Sequence, residues 1–362
     1  MSSKYFIDAV QWRDIKHVAP AFFHRLSFPQ GVAAILRCAI ITFVLLLSSS
    51  CRHHRNGPVA YVSNEKDGTV SVIDTITDKV ISTITVGGRA RGIRISPDGR
   101  RLYVALSTPQ GERYRKEENK IAAIDTDSEK VVKWYDVGSD PEQLGITRDG
   151  SRLFVSNEDA GTATITYIST GNNLKTIVAG IEPEGVGVSP DGRWVYITSE
   201  TSNTITVVDA HTNNIVKTFL VGSRPRDAAF SPDGSRAYVS AEMGRTLSVV
   251  DTRNHDVIHT VQIPPGDGVK PMGVAVSNDG QRVFLATGKS GRVLVINAGT
   301  FEIDDSIPVG QRVWGIALTP DGKKLYTANG LSNDVSVIDT ATDRVIASIK
   351  VGQAPWGVAI RP

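Results

Sequence analysis

One unit, written seven times, decides what this chain can fold into. From Val59 onward the sequence returns to a single pattern with a period of roughly forty-odd residues, the range of propeller blades. The clearest copies are YVSNEKDGTVSVIDTITDKVISTITVG, from Tyr61, and YTANGLSNDVSVIDTATDRVIASIKVG, from Tyr326. Each unit holds four short runs rich in Val and Ile that alternate apolar with polar, the signature of half-buried strands. A Pro-Asp-Gly hairpin joins the first two runs, with Gly supplying a positive φ. It is written at Ser96, Ser189, Ser231 and Thr319, and varied at Thr147 and Ser277. These turns are structural.

Four antiparallel strands per unit and no helical period imply an all-β chain, a seven-bladed β-propeller of four-stranded antiparallel blades. The inner-strand run falls at 91–96, 143–148, 184–189, 226–231, 272–277, 314–319 and 356–361. The second run falls at 59–63, 102–106, 153–157, 194–198, 237–240, 283–287 and 325–328. Each occurs seven times, which fixes the blade count. The domain opens on a second strand and closes on an inner one. The last blade therefore joins the C-terminal inner strand to three N-terminal strands, which hides two sheet edges.

The organisation expected is a non-structural extension over 1–31, a secretory signal over 32–51, a linker over 52–58 and the propeller over 59–362. Arg37 followed by a short apolar run and small residues has the layout of an export signal. The run Cys38–Leu47 is too short for a membrane-spanning helix. Ser48, Ser49, Ser50 and Cys51 resemble a bacterial lipoprotein processing site, although Leu47 stands one place too early. Lipidation at Cys51 and a periplasmic or cell-surface location are expected. The remaining cysteine is Cys38, so the propeller has no internal disulfide. Lys+Arg is 40 against Asp+Glu 38, which removes the basic excess that nucleic-acid binding needs. A monomer is expected.

The units from Tyr61 and Ser332 resemble the YVTN family of β-propeller repeats, over all of 59–362. Blade-specific segments, among them DPEQL, FVSNEDAGT, EPEGVGVSPDG, RPRDAAFSPDGS and VGQRVWGIALTPDG, are similar to the periplasmic propellers that accompany PQQ-dependent alcohol catabolism. That resemblance implies a secreted, non-catalytic binding or accessory propeller of quinoprotein alcohol oxidation. Its partner would be a periplasmic quinoprotein dehydrogenase or its transport components.

Two positions of each blade point at one mouth of the central channel. The residue just before the inner strand reads Arg91, Glu142, Glu184, Arg226, Met272, Trp314 and Trp356 round the ring. The residue after the second strand is Glu65, Glu158, Glu200 or Glu242 in four blades, and no glutamate in the others. Acid, base and aromatic thus gather by sector, as on the binding face of a repeat protein. The ligand-binding candidates are Glu65, Arg91, Glu142, Glu158, Glu184, Glu200, Arg226, Glu242, Trp314 and Trp356. Two readings stand open: these groups bind a ligand, or they brace the ring by pairing between blades. The charged insertion Ser107–Lys120, with Tyr114, lies on the same face and either covers the mouth or is a solvated loop.

Past residue 57 the histidines are His211, His255 and His259, two on the opposite face and one on an outer strand. None serves the mouth as a base. The alternative function is a metal-dependent hydrolase resembling lactonase-type propellers, with a divalent cation on Glu142, Glu158, Glu184 and Glu200. The usual Asn, Asp and His partners are missing there, apart from Asn64 and Asn157. Direct PQQ binding is a third option, since arginines and stacked indoles suit a planar tricarboxylate.

Overall fold

The computed structural model describes residues 57–108, 111–113 and 115–361. The expected signal and lipidation segments, with Cys38 and Cys51, lie outside the described residues, as does Tyr114. Gly57–Pro362 forms one compact unit.

Seven four-stranded sheets make up this unit, and the ring is closed as the sequence phase requires. Pro355–Arg361 pairs antiparallel with Val59–Asn64, which pairs in turn with Thr69–Asp74 and then Lys79–Thr85. Blades 1 to 4 take their inner strands from Arg89–Ile95, Pro141–Ile146, Pro183–Val188 and Pro225–Phe230. Blades 5 and 6 use Val274–Val276 and Val313–Leu318, and blade 7 is the closing sheet.

Neighbouring blades stack face to face, so the second strands are buried on both sides. Trp194–Ser199 is covered throughout apart from its first residue, whereas the outer strand Asn214–Leu220 is largely exposed. Tyr61, Tyr103, Tyr196, Tyr238 and Tyr326 are wholly buried at one position of five second strands. Each such aromatic contributes about 1.5–3 kcal/mol of transfer free energy to blade stacking.

Most inner strands begin one or two residues earlier than the apolar pattern indicates, because the residues ahead of it already pair with the second strand. Blade 5 departs the other way. Its strand is only Val274–Val276, since the longer loop 264–273 carries Pro264, Pro265 and Pro271, which have no N–H to donate. The insertion of blade 1 is drawn together by Arg115, which pairs with Glu112 at 2.5 Å and Glu118 at 2.8 Å.

Candidate functional site: a plugged channel mouth

A one-residue bulge aims the ring residues at the mouth. Pairing of the inner strand with the second strand slips between Pro141 and Leu144, Pro183 and Val186, Pro225 and Ala228, and Val313 and Ile316. Such a bulge turns a side chain out of the alternation, here Glu142, Glu184, Arg226 and Trp314. The exit glutamates are fixed by the backbone. Asp140, Glu182, Arg224 and Ala354 all adopt a left-handed φ of 47–59°. Their carbonyls accept the N–H groups of Glu158, Glu200, Glu242 and Glu65 at 2.8–3.0 Å.

A hydroxyl two residues before each exit glutamate joins neighbouring blades. Ser63, Ser156, Thr198 and Ser240 donate to the backbone carbonyls of Arg91, Glu184, Arg226 and Met272, each in the next blade. The same oxygens accept the N–H groups of Gly357, Gln143, Gly185 and Asp227 within their own blades. The hydroxyls were visible in the sequence, but their pairing spans two blades and has no local signature.

The charged residues assemble into two cages, each built on one arginine. Arg91 contacts Glu65 at 3.1 Å, Glu142, and Glu158 at 3.7 Å. Arg226 contacts Glu184 at 3.1 Å, Glu200 and Glu242. Outer cations complete them. Arg89 meets Glu65 at 2.7 Å and Asp140 at 3.5 Å. Arg224 meets Glu200 at 2.6 Å, and Lys270 meets Glu242 at 2.6 Å. Lys270 and Asp140 each stand two residues before their ring residue, the position that carries Arg89 and Arg224 in their blades.

Seven carboxylates thus face five cations, and the excess shows between the cages. Glu158, Glu184 and Glu200 bring carboxylate oxygens within 4.8 Å of one another. Burial, and then the charge of Glu184, push Glu158 up to about 7 and Glu200 up to about 8. Burial also raises Glu65 and Glu242, but the cations beside them win. Arg91 and Arg89 hold Glu65 below its ordinary value, and Arg226 and Lys270 do so for Glu242.

The indoles face each other. Trp314 and Trp356 stack with centroids 5.9 Å apart and an interplanar angle of 25°. Arg91 lies over Trp356 at 5.8 Å, while Arg226 and Arg312 lie over Trp314 at 5.5 and 4.8 Å. Trp356 is 6% exposed. The first-position ring therefore fills its own mouth, and the space left beneath it is a cavity of about 40 Å3 bounded by Glu184, Arg226, Met272 and the two tryptophans. The structure gathers all ten sequence candidates on one face, but it buries Glu142, Glu184, Glu200, Glu242 and Trp356 among themselves. No open indole platform for a planar cofactor such as PQQ results at Trp356.

The residues fit a central divalent cation poorly. A cation between Glu158, Glu184 and Glu200 would sit against the guanidinium that already contacts Glu184 and Glu200. Glu142 is wholly buried against Arg91. The Asn64 and Asn157 amides turn into their own blades, donating to Ser71 and Thr164, both at 2.9 Å. His255 bonds the Tyr196 hydroxyl at 2.7 Å, and His259 stacks on Phe301.

Fold and mouth together define a seven-bladed β-propeller with a self-paired charged face. Comparison with known proteins agrees on the architecture. Residues 49–183 match the family described as "Lactonase, 7-bladed beta-propeller", and residues 154–301 match "Arylesterase". The chain is similar to a solved structure of Kuenenia stuttgartiensis hydrazine synthase, with 22% identity, 78% of this chain and 92% of that chain covered, and a TM-score of 0.68. It is also similar to a functionally unknown protein from Desulfotomaculum acetoxidans DSM 771, with 21% identity, coverage of 83% and 98%, and a TM-score of 0.72. Likenesses at this identity establish the fold. A curated relative, Antigen Lp49 of Leptospira interrogans, is 31% identical over 102 residues, 27% of this chain. The matched stretch spans 22% of that protein's length.

Proposed function

We propose that this propeller is a non-catalytic binding protein that works outside the cytoplasm beside quinoprotein alcohol oxidation, engaging a protein partner with its mouth face. The observation that carries the reading is the plug. Carboxylates, guanidiniums and indoles pack against one another across the mouth, so this face offers a shaped surface in place of a cleft for a small substrate. Ile181, Met243 and Leu331 stand 60%, 60% and 54% exposed on mouth-face loops, apolar contacts of the kind protein interfaces use. The sequence resemblance supplies the quinoprotein context, and the export layout before Val59 supplies the compartment.

The test is titration calorimetry of the purified propeller against the quinoprotein alcohol dehydrogenase of the same cell. Saturable binding is expected, weakened at least about tenfold by Met243→Asp with Leu331→Asp. Absence of binding by the parent protein would remove the partner. Labelled lipid attaching to Cys51 in a bacterial host checks the anchor, and a mature N-terminus beyond Cys51 without lipid refutes it.

A second reading, a metal-dependent hydrolase, is favoured by the Glu158, Glu184 and Glu200 cluster together with the lactonase and arylesterase matches. It requires Arg226 to withdraw. A stoichiometric divalent ion in the purified protein, with lactone or aryl-ester hydrolysis lost in Glu158→Gln and Glu200→Gln, would replace the first reading by this one.

A further inference from the structure

The central channel carries a chemistry of its own, independent of any reading of the mouth. Beyond the bulge, two positions of each inner strand line the axis. The upper position is Gly in five blades and Gln143 or Asp227 in the other two. The lower one is Gly or Ala in six blades and Arg94 in blade 1. Small side chains on the other walls leave a cavity of about 490 Å3 with Arg94 on its lining.

Arg94 donates from Nη1 to the Ile93 carbonyl at 2.9 Å, and its hydrogen-bond and ion-pair partners among the described residues end there. A guanidinium has five N–H donors and stays charged. Asp227 acts on it through its field, but both Asp227 oxygens are taken by backbone, accepting the Ala228 and Val274 N–H groups at 2.9 and 3.0 Å. Burial lowers the Arg94 pKa and the field of Asp227 opposes that shift, while the side chain, half-buried, still reaches the cavity. Gln143 lines the same cavity, and its Oε1 accepts the Leu144 N–H at 3.2 Å, so its amide nitrogen remains to donate.

The far end of the cavity is apolar. Ile95, Ile146, Val188, Phe230 and Ile360 surround it beside Ser96 and Pro97 of a hairpin on the face opposite the mouth. Entry is therefore from that opposite face. A planar fork of donors suits a carboxylate, and the apolar collar suits a ligand with a hydrocarbon body, which inorganic oxyanions lack.

We propose that the central channel binds a small organic acid anion, its carboxylate held by Arg94 and its apolar body by the collar of Ile146, Val188 and Phe230. The experiment is thermal unfolding and calorimetry of the propeller with butyrate, benzoate, inorganic phosphate and chloride at equal ionic strength. Butyrate or benzoate is expected to bind saturably and raise Tm by at least about 2 °C at a hundredfold excess over Kd, with no such rise for phosphate or chloride. Arg94→Gln should abolish the response. Ala317→Leu, which fills part of the same cavity and keeps the charge, should weaken it at least about tenfold. No saturable response in the parent, an equal response to phosphate, or an undiminished response in Arg94→Gln would each overturn the proposal. Should Arg94→Gln fail to fold, Ala317→Leu alone decides, since undiminished carboxylate binding in that variant places the site elsewhere.

Discussion

Nη1 of Arg226 stands 3.1 Å from Oε1 of Glu184, across the junction between blades 3 and 4. The same guanidinium also meets Glu200 and Glu242, so one cation is shared by three buried carboxylates. Arg226→Ala leaves buried Glu184 without a cation, while Arg224 and Lys270 still serve Glu200 and Glu242, and is expected to cost about 3–5 kcal/mol of unfolding free energy, measured by denaturant titration. Arg226→Lys keeps the charge without the fork and should recover only part of the loss. A loss below about 1 kcal/mol for Arg226→Ala would show that the cage does not brace the ring.

The carboxylates between the cages set a pH dependence of unusual sign. Glu158 and Glu200 are raised from an ordinary 4.5 to about 7 and about 8. Folded protein therefore keeps protons that the unfolded chain has released. Their contribution is full below about pH 4.5 and is lost as pH rises through about 7 to 8. Glu65 and Glu242, held below their ordinary value, contribute above it and lose that contribution in acid. Tm should peak near about pH 5 and fall toward about pH 8.5. In the Glu158→Gln, Glu200→Gln double variant the alkaline fall should flatten, and Tm at neutral pH should equal or exceed that of the parent. A steeper fall in the double variant would contradict this account.

Left-handed backbone at non-glycine residues makes another expectation. Glu182 has φ 55° and an exposed side chain, and its carbonyl places Glu200 at 2.8 Å. Glu182→Gly removes the Cβ strain and should raise stability by about 0.5–1 kcal/mol, while Glu182→Val should lower it by a similar amount. Chemical denaturation of the two variants checks the order.

Closure of the ring is tested by truncation. Removing Trp356–Pro362 takes away most of the strand that pairs with Val59–Asn64. Cooperative unfolding should be lost, or the protein should become insoluble. A truncated protein that melts like the parent would refute the pairing.

The fold was legible because its determinants are local. Turn glycines such as Gly99 and Gly192, and alternating runs such as Thr204–Asp209, repeat in phase, and counting them gives blade number and closure. The mouth was legible only as a face. Ring position told which residues gather, since Arg91, Glu142 and Glu158 come from adjacent blades. It did not tell that they would close on one another. That depends on side-chain reach across blades, on a bulge with no residue signature, and on left-handed turns at Asp140, Glu182 and Arg224 where no glycine announces them. Trp314 and Trp356 illustrate the gap: either indole alone suggests a ligand platform, and only their 5.9 Å separation shows each serving the other.

The closing sheet also sets an order of events in the cell. Strands Val59–Asn64, Thr69–Asp74 and Lys79–Thr85 are synthesised before all the others, yet their inner neighbour, Pro355–Arg361, is synthesised after them all. Until that strand emerges, the first three must wait beside a chain with an unpaired edge at each end, the condition in which sheets join the wrong neighbours. Whatever slows the last strand therefore lengthens the time for which the open ring is exposed to wrong pairing.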